Sequence, residues 1–223
     1  INLLKMSETK FKNIAFDFDG TLADSFYLAR EYYDIAAKDS GIKGLTSSEI
    51  DKLRNTKFSL RYGFNLLLNN KVNALGVLRL VKNLIEELLF NKQRLELFKG
   101  ADAFLNELKN AGVNIFLVTY NQKRIVDSTL EKYNCKDVFN QIYQVDLWKS
   151  KSNTIKSLLE DHKINPNDIV FVGDEIRDVA SAHEAGIKAI AVEWGFNTPK
   201  ILRESKPEWQ VKSFNELSKL LLS

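Results

Sequence analysis

Ile14-Ala15-Phe16-Asp17-Phe18-Asp19-Gly20-Thr21 carries a short apolar run straight into two carboxylates and a glycine. A run that is nearly continuous in hydrophobicity and then breaks off into polar residues reads as a buried strand of a parallel sheet. Two further runs behave in the same way. Val113 to Val118 ends at Thr119, and Ile169-Val170-Phe171-Val172 ends at Gly173-Asp174. Ala189-Ile190-Ala191-Val192 supplies a fourth strand. Helical patterns lie between them. Ala101 to Ala111 is amphipathic and stops at Gly112, Ser152 to His162 carries Ile155, Leu158 and Leu159 on one face, and Asp178 to Ala185 stops at Gly186. Glycine just past a periodic stretch is a helix-ending signal. Strands alternating with helices predict an α/β fold with a parallel sheet.

Residues 25–96 interrupt this alternation, because they contain no convincing strand. Ser25 to Ser40 reads as a helix with Gly41 as its stop, Leu66-Leu67-Leu68 lies in a second helical pattern, and Ala74 to Lys92 is a long one with Val77, Val81, Leu84 and Leu88 on one stripe. An all-helical insert of roughly 70 residues is large enough for a small bundle. The expected organisation is therefore a core of residues 1–24 and 97–223 around an inserted all-helical domain at 25–96, with Lys99-Gly100 near the return point.

Composition narrows the function. The 223 residues carry 32 Lys plus Arg and 29 Asp plus Glu, a net charge of +3. So small an excess argues against nucleic acid or an anionic membrane as partner. Only 3 Pro and 10 Gly exclude collagen-like or low-complexity architecture. A single cysteine, Cys135, excludes an internal disulfide framework, and two histidines, His162 and His183, cannot build a three-histidine metal centre. A reducing cytoplasm fits this usage. No apolar run approaches the ~18–20 residues of a membrane span. Ile1 to Lys10 lacks the apolar core and cleavage site of a signal peptide. Monomer and homodimer are both compatible with the sequence.

In open parallel sheets, ligands bind at the carboxyl ends of the strands. The residues there are Asp17, Thr119 and Asp174, with Asp19 two positions after the first and Asp178 four after the last. Together the four aspartates make an acidic cluster able to hold a hard divalent cation such as Mg²⁺. Gly20 permits close backbone approach to an anion. Lys149 and Lys151, before a helix, can balance the acidic charge. Taken singly, each element has a plainer reading. Asp-X-Asp occurs in turns, a threonine ends many strands, and a lysine opening a helix is usually solvated. His162 and His183 read as surface or packing residues, Cys135 as a small buried hydrophobe, and Trp194 and Trp209 as packing. The order of the elements along the chain is what adds up.

That order resembles the haloacid dehalogenase-like hydrolase superfamily over almost the whole chain. Phe16-Asp17-Phe18-Asp19-Gly20-Thr21-Leu22-Ala23-Asp24-Ser25 is similar to its first motif, and Val172-Gly173-Asp174-Glu175-Ile176-Arg177-Asp178 to its last. Trp194-Gly195-Phe196-Asn197-Thr198-Pro199 and the region of Pro207 resemble the tail of phosphoglycolate phosphatase-like members, and the helical insert falls where that branch has its cap domain. The resemblance implies a Rossmann-like, three-layer core with a helical cap. It also implies a Mg²⁺-dependent phosphatase that hydrolyses a small phosphorylated metabolite through an aspartyl-phosphate. Asp17 would be the nucleophile. Asp19 would act as general acid and then as general base. The metal would be held by Asp17, the backbone carbonyl of Asp19 and Asp174, with Glu175 and Asp178 in the layer behind. The phosphate would be held by a set drawn from Asp19, Gly20, Thr119, Tyr120, Asn121 and Lys151.

Two departures from the family pattern matter. The family has Ser or Thr followed directly by Asn at its second motif, whereas this chain reads Val118-Thr119-Tyr120-Asn121. Either Thr119 or Tyr120 can fill that place, and Thr119 is preferred because a small hydroxyl fits a phosphate oxygen. The family lysine can be Lys151 or Lys149, with Lys151 preferred for its position at the helix start. Arg61, with Lys57 and Arg54 between the expected cap helices, is a candidate to meet an anionic group of the substrate. The second aspartate, Asp19, favours phosphate esters over the dehalogenase branch. Two other readings share the scaffold: a β-phosphoglucomutase-like phosphosugar mutase, and a non-catalytic phosphometabolite-binding protein.

Overall fold

The computed structural model describes residues 10–41, 43–55, 82, 94–146 and 149–222. The chain divides into two compact units, residues 1–24 with 96–223 and residues 25–95.

The first unit is built on six strands: β1 (Asn13–Phe16), β2 (Asn114–Thr119), β3 (Gln141–Gln144), β4 (Ile169–Gly173), β5 (Lys188–Val192) and β6 (Trp209–Val211). They form one sheet in the order β3-β2-β1-β4-β5-β6, and every pairing is parallel. The four strands read from apolar runs are found within a residue or two of their expected bounds. The outer two, β3 and β6, are not foreseen. Gln141-Ile142-Tyr143-Gln144 has exposed glutamines at both ends, and Trp209-Gln210-Val211 is only three residues long. Short, polar edges of this kind protect a sheet from pairing with another chain, and they also erase the hydrophobic signal of a strand.

Register explains the burial. Ala15 of β1 lies opposite Phe116 of β2 and Phe171 of β4, and Phe171 lies opposite Ala189 of β5. These four share one face of the sheet, because side chains alternate along a strand. Ile155 and Leu158 of the helix Lys151–Asp161, and Val179 and Ala182 of the helix Ile176–Glu184, cover that face. On the other face Phe16 meets Phe104 of the helix Ala101–Asn110 edge-on, with ring centroids 6.0 Å apart, and Phe104 meets Phe214 of the helix Phe214–Leu221 at 5.3 Å. The result is three layers, helix on sheet on helix.

The second unit holds the helices Phe26–Asp39 and Ser47–Arg54 among its described residues. The first stops short of Gly41, which adopts φ +68°. The second opens with a capping box, in which Glu49 N–H donates to Thr46 Oγ1 at 3.3 Å and Thr46 N–H donates to the Glu49 carboxylate at 2.8 Å. Arg94 donates two hydrogen bonds to Glu31, at 3.0 and 2.8 Å, and ties residues far apart in sequence. The helices expected around Leu66-Leu67-Leu68 and over Ala74 to Lys92, like the candidates Lys57 and Arg61, lie outside the described residues, save Lys82, which is helical. No helix among the described residues is long and apolar enough to cross a membrane.

One feature of the topology positions the site. The chain leaves β1 for β2 on one side, and β4 pairs with β1 on the other. The strand order therefore reverses at β1, and a crevice opens beyond the carboxyl ends of β1 and β4.

Candidate active site

The residues at that crevice come from four places in the chain. Asp17 follows β1 directly, and its N–H extends the ladder by donating to Val172 O at 2.9 Å. The backbone then folds back on itself: Leu22 and Ala23 both donate their N–H to Phe18 O, and Gly20 N–H donates to Ala23 O at 2.8 Å. Gly20 sits at φ +78°, and a Cβ there would overlap the Asp174 carboxylate. The absent side chain is therefore what lets the Asp17–Thr21 turn press against Asp174. Asp19 is half-buried at the tip of this turn.

Lys151 opens its helix with Ser150 as the cap, whose Oγ accepts from Ser152 N–H. The Lys151 side chain is 4% exposed, and its ammonium lies 3.0 Å from Asp17 Oδ1 and 2.6 Å from Asp178 Oδ1. Lys149, the other candidate, is exposed and pairs with Asp146 at 3.1 Å. The geometry thus brings Lys151, and not Lys149, into the acidic cluster.

Asp174 and Asp178 follow β4. Asp174 is fully buried, with Oδ1 accepting from Thr21 Oγ1 at 2.8 Å and Oδ2 from Phe196 N–H at 2.7 Å. Asp178 accepts from Glu175 N–H through Oδ2 at 3.0 Å while Oδ1 takes the Lys151 ammonium, so both of its oxygens are engaged. The Glu175 carboxylate is gripped by Arg177 Nε and Nη2 at 2.8 and 2.6 Å.

On the β2 side, Thr119 is buried and its Oγ1 accepts from Asn121 N–H at 3.0 Å. Tyr120 turns its hydroxyl away to donate to Lys149 O at 3.2 Å. Its ring lies 5.4 Å from the Lys151 ammonium. Asn121 directs its side-chain Nδ2 at both Asp19 oxygens, 3.1 Å from each. Asp17, Asp19, Tyr120, Lys151, Glu175, Arg177, Asp178 and Ser181 line a cleft of about 120 Å³. A water molecule takes up roughly 30 Å³ of liquid, so this is room for a small anion.

Electrostatics follow from burial. Asp17 is pushed from 3.8 to about 8: loss of hydration is the largest cause, Lys151 pulls the other way, and the charges of Asp178 and Asp19 add to the rise. Burial, and then the charges of Asp178, Asp17 and Glu175, drive Asp174 well upward too. Burial works against the charge on Lys151, but Asp17 and Asp178 overcome it and hold the ammonium protonated. Two buried carboxylates, Asp17 and Asp178, thus share one buried cation, and Asp174 lies beside them without one among the described residues. Asp17, Asp174 and Asp178 each bring an oxygen within 4.8 Å of the others. A crowded, hard-oxygen set with surplus negative charge fits a divalent cation, which would relieve the repulsion that raises Asp17 and Asp174.

Sequence reasoning missed the residues that hold this set in place. Thr21 and the Phe196 backbone orient Asp174, and Asn197 Oδ1 accepts from Ile176 N–H at 2.9 Å at the start of the helix that carries Asp178. Gly195 approaches so closely that a Cβ would overlap Asp174. Trp194, read as a packing residue, does pack on Phe214 at 4.7 Å and also donates Nε1–H to Thr21 O at 3.0 Å. The Trp194–Asn197 string was visible, but its distance from Asp174 in sequence gave no sign of contact.

The likenesses to known proteins agree with this fold. The chain is 26% identical over 204 residues to the phosphoglycolate phosphatase of Synechococcus elongatus, covering 92% of this chain and 94% of that protein. It is 26% identical over 234 residues to the phosphoglycolate phosphatase of Vibrio vulnificus, covering 97% and 99%. Among solved structures, a predicted phosphoglycolate phosphatase from Haemophilus somnus superposes with a TM-score of 0.80 at 21% identity, over 96% of this chain and 99% of that one. A haloacid dehalogenase-like family protein from Streptococcus pneumoniae gives 0.77 at 21% identity, over 94% and 98%. At that identity the structures speak for the fold alone. The model of the haloacid dehalogenase-like hydrolase family matches residues 14–192, from the first residues of β1 to the last of β5, and the chain belongs to that family.

Proposed function

We propose that the protein is a Mg²⁺-dependent phosphatase of small phosphorylated metabolites, phosphoglycolate phosphatase-like, that works through an aspartyl-phosphate on Asp17. The observation that carries this reading is the buried Lys151 bridging Asp17 and Asp178 beside Asp174 at the reversal point of the sheet.

Carboxylates are weak nucleophiles and a phosphate ester repels them, so both charges need an opposing one. Asp17, the Asp19 backbone carbonyl and Asp174 would hold Mg²⁺, which would supply that charge and favour the ionised form of Asp17. Lys151 supplies a second, fixed positive charge on the same carboxylate. An Asp17 oxygen forms a bond to phosphorus as the bond from phosphorus to the leaving oxygen breaks, and Asp19 gives its proton to that oxygen. Asp19, now ionised, takes a proton from the water that attacks the phosphorylated Asp17. Phosphate leaves and both aspartates return to their starting states. Thr119 and Lys151 hold phosphoryl oxygens as charge shifts among them. Asp178 and Glu175 orient the set from behind, the first through Lys151 and the second through its backbone N–H on Asp178. Residues 25–95 take the part of a cap that selects the leaving group, with Arg61 its candidate for an anionic substituent. A small carboxylated phosphate ester is the first substrate to try, given the names of the relatives, and a cytoplasmic location belongs to the same reading.

The test is phosphate release from a panel of phosphorylated metabolites with and without Mg²⁺, beside Asp17→Asn. Mg²⁺-dependent release that disappears in the variant is expected. Isomerised sugar phosphate without net phosphate release would identify a mutase instead, and tight ester binding without turnover a binding protein.

A further inference from the structure

The family places its asparagine directly after the second-motif hydroxyl, and here Tyr120 stands between them. The displaced Asn121 does not merely fill space. Its Nδ2 lies 3.1 Å from both Oδ1 and Oδ2 of Asp19, a residue 102 positions away in the chain. The orientation of the amide is settled at its other end, since Oδ1 accepts from Gln122 N–H at 2.8 Å and must be the oxygen. The segment itself is pinned on both sides. Asn121 N–H donates to Thr119 Oγ1 at 3.0 Å, and Tyr120 is moored to Lys149 O.

We propose that Asn121 is a positioning residue for Asp19: its amide fixes the rotation of the Asp19 carboxyl and leaves that group's proton to face the leaving oxygen. The inference rests on reading Asp19 as the acid of a phosphatase. Its chemistry is one-sided. The Asn121 atom facing Asp19 can only donate, so one carboxyl oxygen is tied as an acceptor and a proton on the other cannot be spent on Asn121. A carboxyl held in one plane meets the leaving oxygen in the same geometry at each turnover, whereas a freely rotating one does not. Phosphate binding by Asn121, the role expected from the family set, would instead require the same Nδ2 to leave Asp19.

A difference in leaving group separates these roles. p-Nitrophenolate departs without needing a proton, and an alkoxide does not. The ratio kcat/KM reports transfer to the enzyme, the step in which the acid acts. It is to be measured for p-nitrophenyl phosphate and for an alkyl ester such as phosphoglycolate, in the full-length wild type, Asn121→Ala and Asn121→Asp. General acids contribute about 10²–10⁴-fold, so a misaligned one is expected to cost the alkyl ester at least ~10-fold more than the aryl ester in both variants. Asn121→Asp is isosteric, which protects the fold, and it sets a carboxylate against Asp19. Equal losses on both esters, with weaker inhibition by inorganic phosphate, would overturn the proposal in favour of phosphate binding, as would no loss on either. Turnover of neither ester by the wild type would sink the phosphatase reading itself and this role with it. Parallel losses with an active wild type sink only the role.

Discussion

The Lys151 ammonium lies 3.0 Å from Oδ1 of Asp17, and both side chains are more than nine-tenths buried. A lysine so placed loses its hydration, and only the two aspartates it touches make its charge tolerable. The converse also holds, because Lys151 is the cation that restrains the rise of Asp17. Lys151→Met is therefore expected to leave Asp17 and Asp178 without the buried cation that both of them touch. Removing one partner of a buried pair costs about 3–5 kcal/mol when the other stays charged, and less where the acids protonate instead. Thermal unfolding without metal should show a lower midpoint, partly restored by Mg²⁺. Phosphate release should fall by about 10²-fold or more, the usual cost of removing a donor aimed at developing charge. Full activity in Lys151→Met would remove Lys151 from the site.

Burial also predicts a pH dependence. Asp17 titrates near 8 in the folded chain without metal, against 3.8 unperturbed, and Asp174 moves in the same direction. Between those two values the folded state binds more protons than the unfolded one, so unfolding free energy falls as pH rises. The contribution is fully present below about pH 4 and is lost as pH passes through about 8. In chelator, the melting temperature should therefore drop between pH 5.5 and 8 on account of these groups. Mg²⁺ needs the ionised carboxylates, so its stabilising effect should grow over the same range. A Mg²⁺-induced shift in melting temperature that is equal at pH 5.5 and pH 8 would contradict Asp17 as a ligand.

Gly195 tests the support behind Asp174. A Cβ at this position would overlap Asp174 Cβ, Cγ and Oδ2, and no flexible chain end can give way. Gly195→Ala should push Asp174 off Thr21 Oγ1 and the Phe196 N–H. Overpacking costs typically ~1–3 kcal/mol, so the protein should still fold. Metal affinity, read by calorimetric titration of Mg²⁺, should fall by about 10–100-fold, as for other changes to groups that orient ligands. Unaltered Mg²⁺ binding would mean that Asp174 is free to move or is no ligand.

The parts of the molecule legible in sequence are those whose signal is local. Ile14-Ala15-Phe16 and Ile169–Val172 are buried on both faces, so hydrophobicity alone marks them as strands, and the acids after them are then fixed at strand ends. Gln141–Gln144 is a strand because Phe116 through Thr119 offer it a ladder, which its own residues do not announce. The helix Lys123–Lys132 was likewise unread, since it buries only Val126, Thr129 and Leu130 among charged neighbours. Lys151 could be preferred over Lys149 by its place at a helix start, but only the packing of that helix against Phe171 and Val179 shows which side chain reaches Asp17. The contacts that orient Asp174 reach it from Thr21, 153 positions away, and from Phe196, 22 positions away, and no local pattern carries such information.

Thr119 and Tyr120 were both open for the second-motif hydroxyl, and their hydrogen bonds separate them. Tyr120 spends its proton on Lys149 O and offers the cleft only its ring. Thr119 Oγ1 accepts from Asn121 N–H, and no described residue receives the Thr119 proton. A hydroxyl that accepts on one side and keeps its donor is suited to a phosphate oxygen. Thr119→Val keeps the shape and removes that donor, and it also removes the acceptor for Asn121 N–H. Inhibition by inorganic phosphate should weaken by about 10-fold, in line with the roughly 1.5–3 kcal/mol of a hydrogen bond to a charged group. Tyr120→Phe removes only the tie to Lys149, a neutral bond of about 1 kcal/mol, and should weaken phosphate inhibition by no more than about 5-fold. If Tyr120→Phe proved the more damaging of the two, the tyrosine hydroxyl would have to swing from Lys149 into the cleft when phosphate binds, and the second motif would be centred on Tyr120.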